Sequence, residues 1–425
     1  MKKSIDDLIH YCEEHKYNFL YGAGKYGRIV RVFLDENGIG ISGFVVTDST
    51  MSGGVVLEKS VISFDEYLNL GIDSVGIIVA TSEKNQKDIT CQLNENRILD
   101  YYCVSDDEVE AMVHSCTYKR RYCSRNNITV FCYHRVADIP LDTWKLAVKP
   151  DLFEKQIRYI KENYVVLRSE EDWSFADNKP AAIITFDDGY EDVFLNALPI
   201  LEKCDCPATV FVSTGNIDTN NEFWWDELEK VIFFSSKDKK KLVAFGEELK
   251  LDTDTNKEKS CYYIHPFIKR MNYKERKEFL GNLSKELGSE VDRDYCRSMS
   301  CTQIKQLSQS YKITIGGHTV THSCLANESY EEQEYEIIES KKTIEDIIGK
   351  DITVFSYPFG QQNDYTKDTI SIAQSAGYEK IFAAFSGITN SKYDNGNIPR
   401  INIGQCQYYD ESIKQIRFYE TIMGD

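Results

Sequence analysis

From Ile128 almost to the C-terminus the chain repeats one unit, a short apolar run followed by an amphipathic stretch. The runs are Ile128–Tyr133, Ala181–Phe186, Ala208–Ser213, Ile313–Gly317, Ile352–Tyr357, Lys380–Ala384 and Ile398–Ile403. Between and after them lie helical patterns at Asp151–Asn163, Glu191–Lys203, Thr302–Tyr311, Tyr330–Ile348, Tyr365–Ala376 and Glu411–Met423. Strands apolar on both faces and regularly followed by helices belong to a parallel sheet with both faces covered. The pattern therefore predicts an α/β fold, either a (β/α) barrel or a doubly wound sheet. It breaks at about 226–300, where a charged, helix-rich segment reads as an insertion over one face.

A smaller α/β pattern precedes it. The strand Tyr17–Tyr21 runs into Gly22-x-Gly24-x-x-Gly27 and an amphipathic helix. Further strands are expected at Ile41–Val46, Ser74–Thr81 and Ile98–Val104, with Asp48 near the end of the second. Glycines between a strand and a helix N-terminus allow close backbone approach by a pyrophosphate. The unit is similar to the Rossmann-like domains attached to bacterial sugar-modifying transferases, some of which hold nucleotide-sugars. Gly22, Gly24, Gly27 and Asp48 are thus expected to bind a nucleotide or nucleotide-sugar, with docking or scaffolding as the alternative. We expect a Rossmann-like domain over 1–105, a linker over 106–127 and the larger domain over 128–425. The basic run Lys119-Arg120-Arg121 falls in the linker and reads as solvated.

A length of 425 residues suits two or three domains. Lys+Arg 50 against Asp+Glu 68 leaves −18, which argues against a general nucleic-acid binder. The 13 cysteines are scattered, and Cys204 and Cys206 lack zinc-ribbon spacing, so all are expected to be reduced thiols. The first residues carry no apolar leader, and no run approaches about 18 apolar residues. A cytoplasmic protein without a transmembrane segment is expected, with peripheral membrane contact left open.

Four motifs stand at strand ends, where α/β folds place their chemistry. Thr185-Phe186-Asp187-Asp188-Gly189 sets two carboxylates side by side, an arrangement that a cation or a proton stabilises. Gly317-His318-x-x-x-His322 spaces two imidazoles as on one face of a helical turn. Tyr357-Pro358-Phe359-Gly360 makes a rigid turn whose N–H groups suit a developing oxyanion. Tyr133-His134 ends the first strand. Together, Asp188, His318 and His322 form a two-histidine, one-carboxylate set of the kind that holds a catalytic metal. Asp187 is then free as general base, and His134 is the spare imidazole for protonating a leaving group.

In this combination and order the motifs resemble the polysaccharide deacetylases, the NodB-homology enzymes of carbohydrate esterase family 4, over about Ile128 to Ile403. The resemblance implies a distorted (β/α)7 barrel and removal of an N-acetyl group from a carbohydrate with Zn2+, or Co2+ or Ni2+ in its place. It implies Asp187 as base, Asp188, His318 and His322 as metal ligands, and the Phe359 N–H as oxyanion donor. The usual late Leu-x-His is missing, since no histidine follows His322. Tyr133-His134 instead resembles the circularly permuted exopolysaccharide-deacetylase branch, in which the acid comes first. Arg400 resembles that branch's late arginine, which orients the base or binds substrate. The usual arginine before the third motif is absent, and Tyr357 is a substrate-contact candidate in its neighbourhood. Trp224 and Trp225 are candidates for a wall that stacks on a sugar, or for simple helix-start packing.

These residues predict a metal-dependent carbohydrate N-deacetylase of surface-polysaccharide biosynthesis. A nucleotide-sugar or a lipid-linked precursor fits a cytoplasmic setting better than finished wall polymer. The alternatives are a sugar deformylase or other small-amide hydrolase, a non-heme iron enzyme, and a non-catalytic sugar-binding protein.

Overall fold

The computed structural model describes residues 4–72, 74–116, 127–173, 180–289, 291–389, 394–404, 413–414, 416–418 and 421–422. It divides into two units, Met1–Ser124 with Lys414–Asp425, and Arg125–Ile413. The Lys119–Arg121 run and part of the expected Glu411–Met423 helix lie outside the described residues.

The first unit is a six-stranded sheet built from β1 (Tyr17–Tyr21), β2 (Gly43–Val46), β3 (Val55–Val56), β4 (Lys59–Ser63), β5 (Val75–Val79) and β6 (Tyr101–Cys103). The order is β3-β4-β2-β1-β5-β6, parallel except for the β3–β4 pair. The β3–β4 hairpin was not expected, since its strands are short and only partly apolar. Leu20, Phe44 and Ile78 of the sheet pack with Ile29, Val30, Phe33 and Leu34 of the Lys25–Glu36 helix.

Two boundaries differ from expectation. Asp106–Ser115, assigned to the linker, is a helix with a reciprocal Ser105–Glu108 capping box, and its Val109 and Met112 enter this core. Phe418 and Ile422, assigned to the larger domain, are buried in the same core. Apolar side chains at one-turn spacing seal whichever core they reach, and sequence does not say which.

The second unit is a ring of seven parallel strands: β7 (Ile128–Tyr133), β8 (Ala181–Phe186), β9 (Ala208–Val212), β10 (Ile313–Gly317), β11 (Val354–Ser356), β12 (Lys380–Phe382) and β13 (Ile401–Asn402). The pairing runs β12-β11-β10-β9-β8-β7-β13. Ile398 bridges Phe382 of β12 in parallel, and Ile401 pairs with Phe131 of β7, so the Ile398–Asn402 segment closes the barrel. This is the expected distorted (β/α)7 architecture. Val130, Ile183, Phe211, Val354 and Phe382 share one buried cluster of this unit. The insertion contains the helices Trp224–Phe233, Asp254–Lys269 and Tyr273–Leu287, plus an unexpected hairpin of Lys241–Ala244 with Glu247–Lys250. It has its own core around Leu228, Ile232, Ile264 and Leu283.

Candidate active site

Every motif residue emerges at the carboxyl end of the parallel strands. Asp187 and Asp188 follow β8, His318 follows β10, His134 follows β7, Ser356 ends β11, and Arg400 lies in the closing segment. Asp188 takes a left-handed φ of 71°, and Gly189 follows with φ 87°. This turn separates the two carboxylates into different roles.

Asp187 is clamped by Arg400, whose Nη1 and Nη2 donate to Oδ1 and Oδ2 at 2.7 and 2.6 Å. Arg400 is fully buried. Its Nε donates to the Ala383 carbonyl at 2.6 Å, and its Nη2 also donates to Ser356 Oγ at 2.7 Å. Burial alone would raise the Asp187 carboxyl, but the Arg400 and His318 charges outweigh it and hold the group below its ordinary range.

Asp188 is held by the imidazoles instead. Its Oδ1 lies 3.5 Å from His318 Nε2 and 3.3 Å from His322 Nε2. The three ligand atoms lie within 4.8 Å of one another, and all three residues are buried. His318 Nδ1 lies 2.7 Å from the Ser356 carbonyl, a contact that fixes the ring with Nε2 toward Asp188. Burial pushes His322 down to about 4, so its imidazole is neutral near pH 7, the form a metal ligand needs. One carboxylate and two imidazoles converging in a buried pocket fit a divalent cation.

The expected helical turn between the two histidines is absent. His318–His322 is a loop in which Thr319 and His322 have φ of 65° and 52°. The Glu336 carboxylate holds it, accepting from the Val320 and Thr321 N–H groups at 2.8 Å each. Left-handed residues curl the chain enough for the imidazoles to meet, with ring centroids 4.9 Å apart.

These groups line a cavity of about 160 Å³ together with His134, Trp144, Trp225, His265 and Phe359. Partly exposed His134 lines the cavity, with a ring nitrogen, the Asp187 carboxylate and Cys132 Sγ all within 4.8 Å of one another. Phe359 adopts φ 61°, and the following Gly360 also has positive φ, where a Cβ would lie 2.4 Å from the Ala384 nitrogen. Trp225 meets His322 edge-on at 4.5 Å.

Other candidates fall elsewhere. Tyr357 is fully buried, stacks on Tyr365 at 4.1 Å and donates its hydroxyl to the Gly396 carbonyl at 2.9 Å, so it does not line the cavity. Trp224 opens the Trp224–Phe233 helix and lines a different cavity. His265, which the sequence offers only as the reserve proton donor should His134 not be the acid, lines the cavity from an insertion helix. Burial and then the nearby Lys269 charge push its imidazole to about 4.

In the N-terminal unit, Gly22 has φ 117°, and a Cβ on Gly27 would sit 1.8 Å from the Gly22 carbonyl oxygen. These two glycines pack the helix against the strand-end loop. A Cβ on Gly24, the N-cap residue, would meet nothing within 4 Å. Asp48 caps its own turn, accepting from the Thr50 N–H at 2.9 Å.

Residues 176–381 match the family model described as polysaccharide deacetylase. A curated Bacillus subtilis (strain 168) protein, YxkH, whose name assigns it to the polysaccharide deacetylases, is 22% identical over 240 residues. That match covers 55% of this chain and 57% of YxkH, so the chain spans little more than half of that relative. Among solved structures, the polysaccharide deacetylase BA0330 of Bacillus anthracis is 19% identical with a TM-score of 0.45, covering 68% of this chain and 69% of that one. The Streptococcus pyogenes deacetylase PplD, solved with acetate, is 21% identical with a TM-score of 0.45, covering 69% and 98%.

Proposed function

We propose that this chain, which belongs through residues 176–381 to the polysaccharide deacetylase family, is a metal-dependent hydrolase that removes N-acetyl groups from a carbohydrate. The observation that carries the reading is the convergence of two separate devices on one cavity. They are the Asp188–His318–His322 set and the Arg400–Asp187 clamp. His134 and Arg400 lie outside the segment matched to the family, yet both stand at this site. That supports the permuted arrangement.

Asp188, His318 and His322 would hold the ion, which we take to be Zn2+, with Co2+ or Ni2+ as substitutes. Such an ion supplies Lewis-acid polarisation and activates water near neutral pH. Asp187, ionised and fixed at both oxygens, accepts the proton of the attacking water. The Phe359 N–H is assigned to the developing oxyanion. His134 donates a proton to the departing nitrogen. His265 is the less suited donor, since burial and the Lys269 charge push its imidazole to about 4. Trp225 supports the sugar-facing wall.

For the setting, we propose a cytoplasmic step of surface-glycan synthesis on a nucleotide-sugar or lipid-linked precursor. Eleven described cysteines are all free, which suits a reducing compartment, and no described helix is long and apolar enough to cross a membrane. We assign the N-terminal unit to nucleotide or nucleotide-sugar binding through its Gly22–Gly27 loop. The test is acetate release from a panel of N-acetyl and N-formyl sugars, free, nucleotide-linked and lipid-linked, before and after chelation. Chelator-sensitive acetate release is expected. Formate release alone, or turnover indifferent to chelation, would replace the reading.

A further inference from the structure

A second cavity, of about 510 Å³, lies between the Trp224–Phe233 and Tyr273–Leu287 helices and the loop that carries His322. Its wall contains Arg276, which is only 2% exposed. The Arg276 Nη2 donates to the Thr321 carbonyl at 3.2 Å, while Nη1 has no hydrogen-bond partner among the described residues. The other buried arginines are all neutralised. Arg31 pairs with Asp35 at 3.0 Å, Arg135 with Asp192 at 2.9 Å, Arg293 with Glu222 at 2.7 Å and Arg400 with Asp187 at 2.6 Å. Arg276 has no such ion pair among the described residues. The Glu336 and Glu328 charges act on it without reaching salt-bridge distance, and Glu336 is hydrogen-bonded to the Val320 and Thr321 N–H groups instead. A buried cation with no counter-charge in direct contact is costly unless something supplies one.

Building on the deacetylase reading, we propose that this cavity binds an anionic group, a carboxylate or a phosphate, carried on the sugar next to the reacting one. The preferred substrate is then an acidic glycan. Lys277 lines the same wall and adds a second cation. Lys230 and Glu222 face the cavity as a pair at 3.4 Å, and Arg293 holds Glu222 as well. Glu227 also faces it, under the Lys230 and Lys277 charges, which leaves Arg276 as the cation for a single anion with Lys277 at its side. Asn220 and Asn221 offer amide groups of the kind that sugar hydroxyls take.

Trp224 joins this cavity to the catalytic one. The Arg276 guanidinium lies 5.2 Å from its ring, and the His265 ring, which lines the catalytic cavity, lies 5.0 Å away. A glycan with its acetamido group at Asp188 and its next residue past Trp224 would carry the anion to Arg276.

The test is equilibrium binding to the full chain, read by calorimetry at low salt, where charge contacts are least screened. The probes are an oligosaccharide alternating N-acetylglucosamine with glucuronate, a neutral N-acetylglucosamine oligomer of equal length, and inorganic phosphate. The acidic oligomer should bind about tenfold tighter than the neutral one, equivalent to about 1.4 kcal/mol. Arg276→Gln should erase that difference, and Lys277→Gln, at an exposed position, should reduce it. Phosphate that competes with the acidic oligomer supports the site. Phosphate that binds with Arg276 dependence while glucuronate gives no preference assigns the anion to a phosphate-bearing glycan. Equal binding of both oligomers with no Arg276-dependent phosphate binding overturns the proposal, as does a preference that survives Arg276→Gln. If Arg276→Gln does not fold, a preference unchanged in Lys277→Gln overturns it. Binding is read without turnover, so an acid preference in a protein that releases no acetate would sink the deacetylase reading alone.

Discussion

The catalytic cavity and the N-terminal glycine loop are both strand-end sites with sequence motifs, yet they are built on opposite principles. At the cavity, buried polar and charged groups face one another: Arg400 on Asp187, and two imidazoles on Asp188. Such groups are expensive to bury and have a use only in their mutual geometry. In the glycine loop the motif residues face backbone. Gly22 and Gly27 are required by packing alone, and only Gly24 stands beside open space. A motif of charged residues in a pocket therefore argues for chemistry, whereas a motif of glycines argues first for close packing and only then for a ligand.

The largest effect that separates the two regions is expected at His318. His318→Ala should leave substoichiometric metal, measured by elemental analysis, and abolish acetate release. Full occupancy in that variant would remove the metal assignment. Next comes Asp187→Asn, which should keep its metal and lose roughly 100-fold or more in turnover, as expected for a lost general base. Loss of metal in Asp187→Asn would mean that the two aspartates have exchanged roles. No substitution in the Gly22–Gly27 loop should reproduce either result.

The barrel was legible because continuous apolar runs of strand length leave few alternatives, and β7, β8 and β10 begin and end where those runs do. The candidate metal set was legible because Asp188 and His318 sit two residues and one residue past such runs, with His322 four residues further on. The histidine loop was misread because i, i+4 spacing fits a helical turn and a left-handed curl equally well. Only backbone dihedrals distinguish them. His265 was legible only as a reserve proton donor, because an inserted helix reaches the cavity through tertiary packing, which no local pattern encodes. Tyr357 was misplaced for a related reason. Strand side chains alternate faces, and a shift of one position moves a residue from cavity to core.

A smaller effect tests whether His265 is as deeply buried as its cavity contacts imply. Its imidazole falls from the ordinary 6.5 to about 4 in the fold. Between those values the unfolded chain binds more protons than the folded one, so stability rises with pH through that window. The contribution is full above pH 6.5 and is lost as pH falls toward 4. His322 acts in the same direction, while His318, raised mainly by Asp187 against its burial, acts in the other. His265→Gln should flatten the slope of denaturation free energy against pH by up to about one proton in that window. An unchanged slope would mean that the ring is solvated.

The smallest expected effect decides what the glycine loop is for. A Cβ on Gly27 would collide with the Gly22 carbonyl, so Gly27→Ala should cost about 1–3 kcal/mol of stability in chemical denaturation. At Gly24 a Cβ meets nothing within 4 Å, so Gly24→Ala should stay within about 0.5 kcal/mol of the parent. Gly24→Val adds bulk in the same open space, directly at the N-terminus of the Lys25–Glu36 helix. Because the fold has no use for that space, any change in nucleotide or nucleotide-sugar affinity in a stable Gly24→Val reports the ligand itself. Lost binding with unchanged stability and metal content would assign the loop to a pyrophosphate. If the parent binds no nucleotide at millimolar concentration, Gly22 and Gly27 are fully explained by packing and the unit is a scaffold.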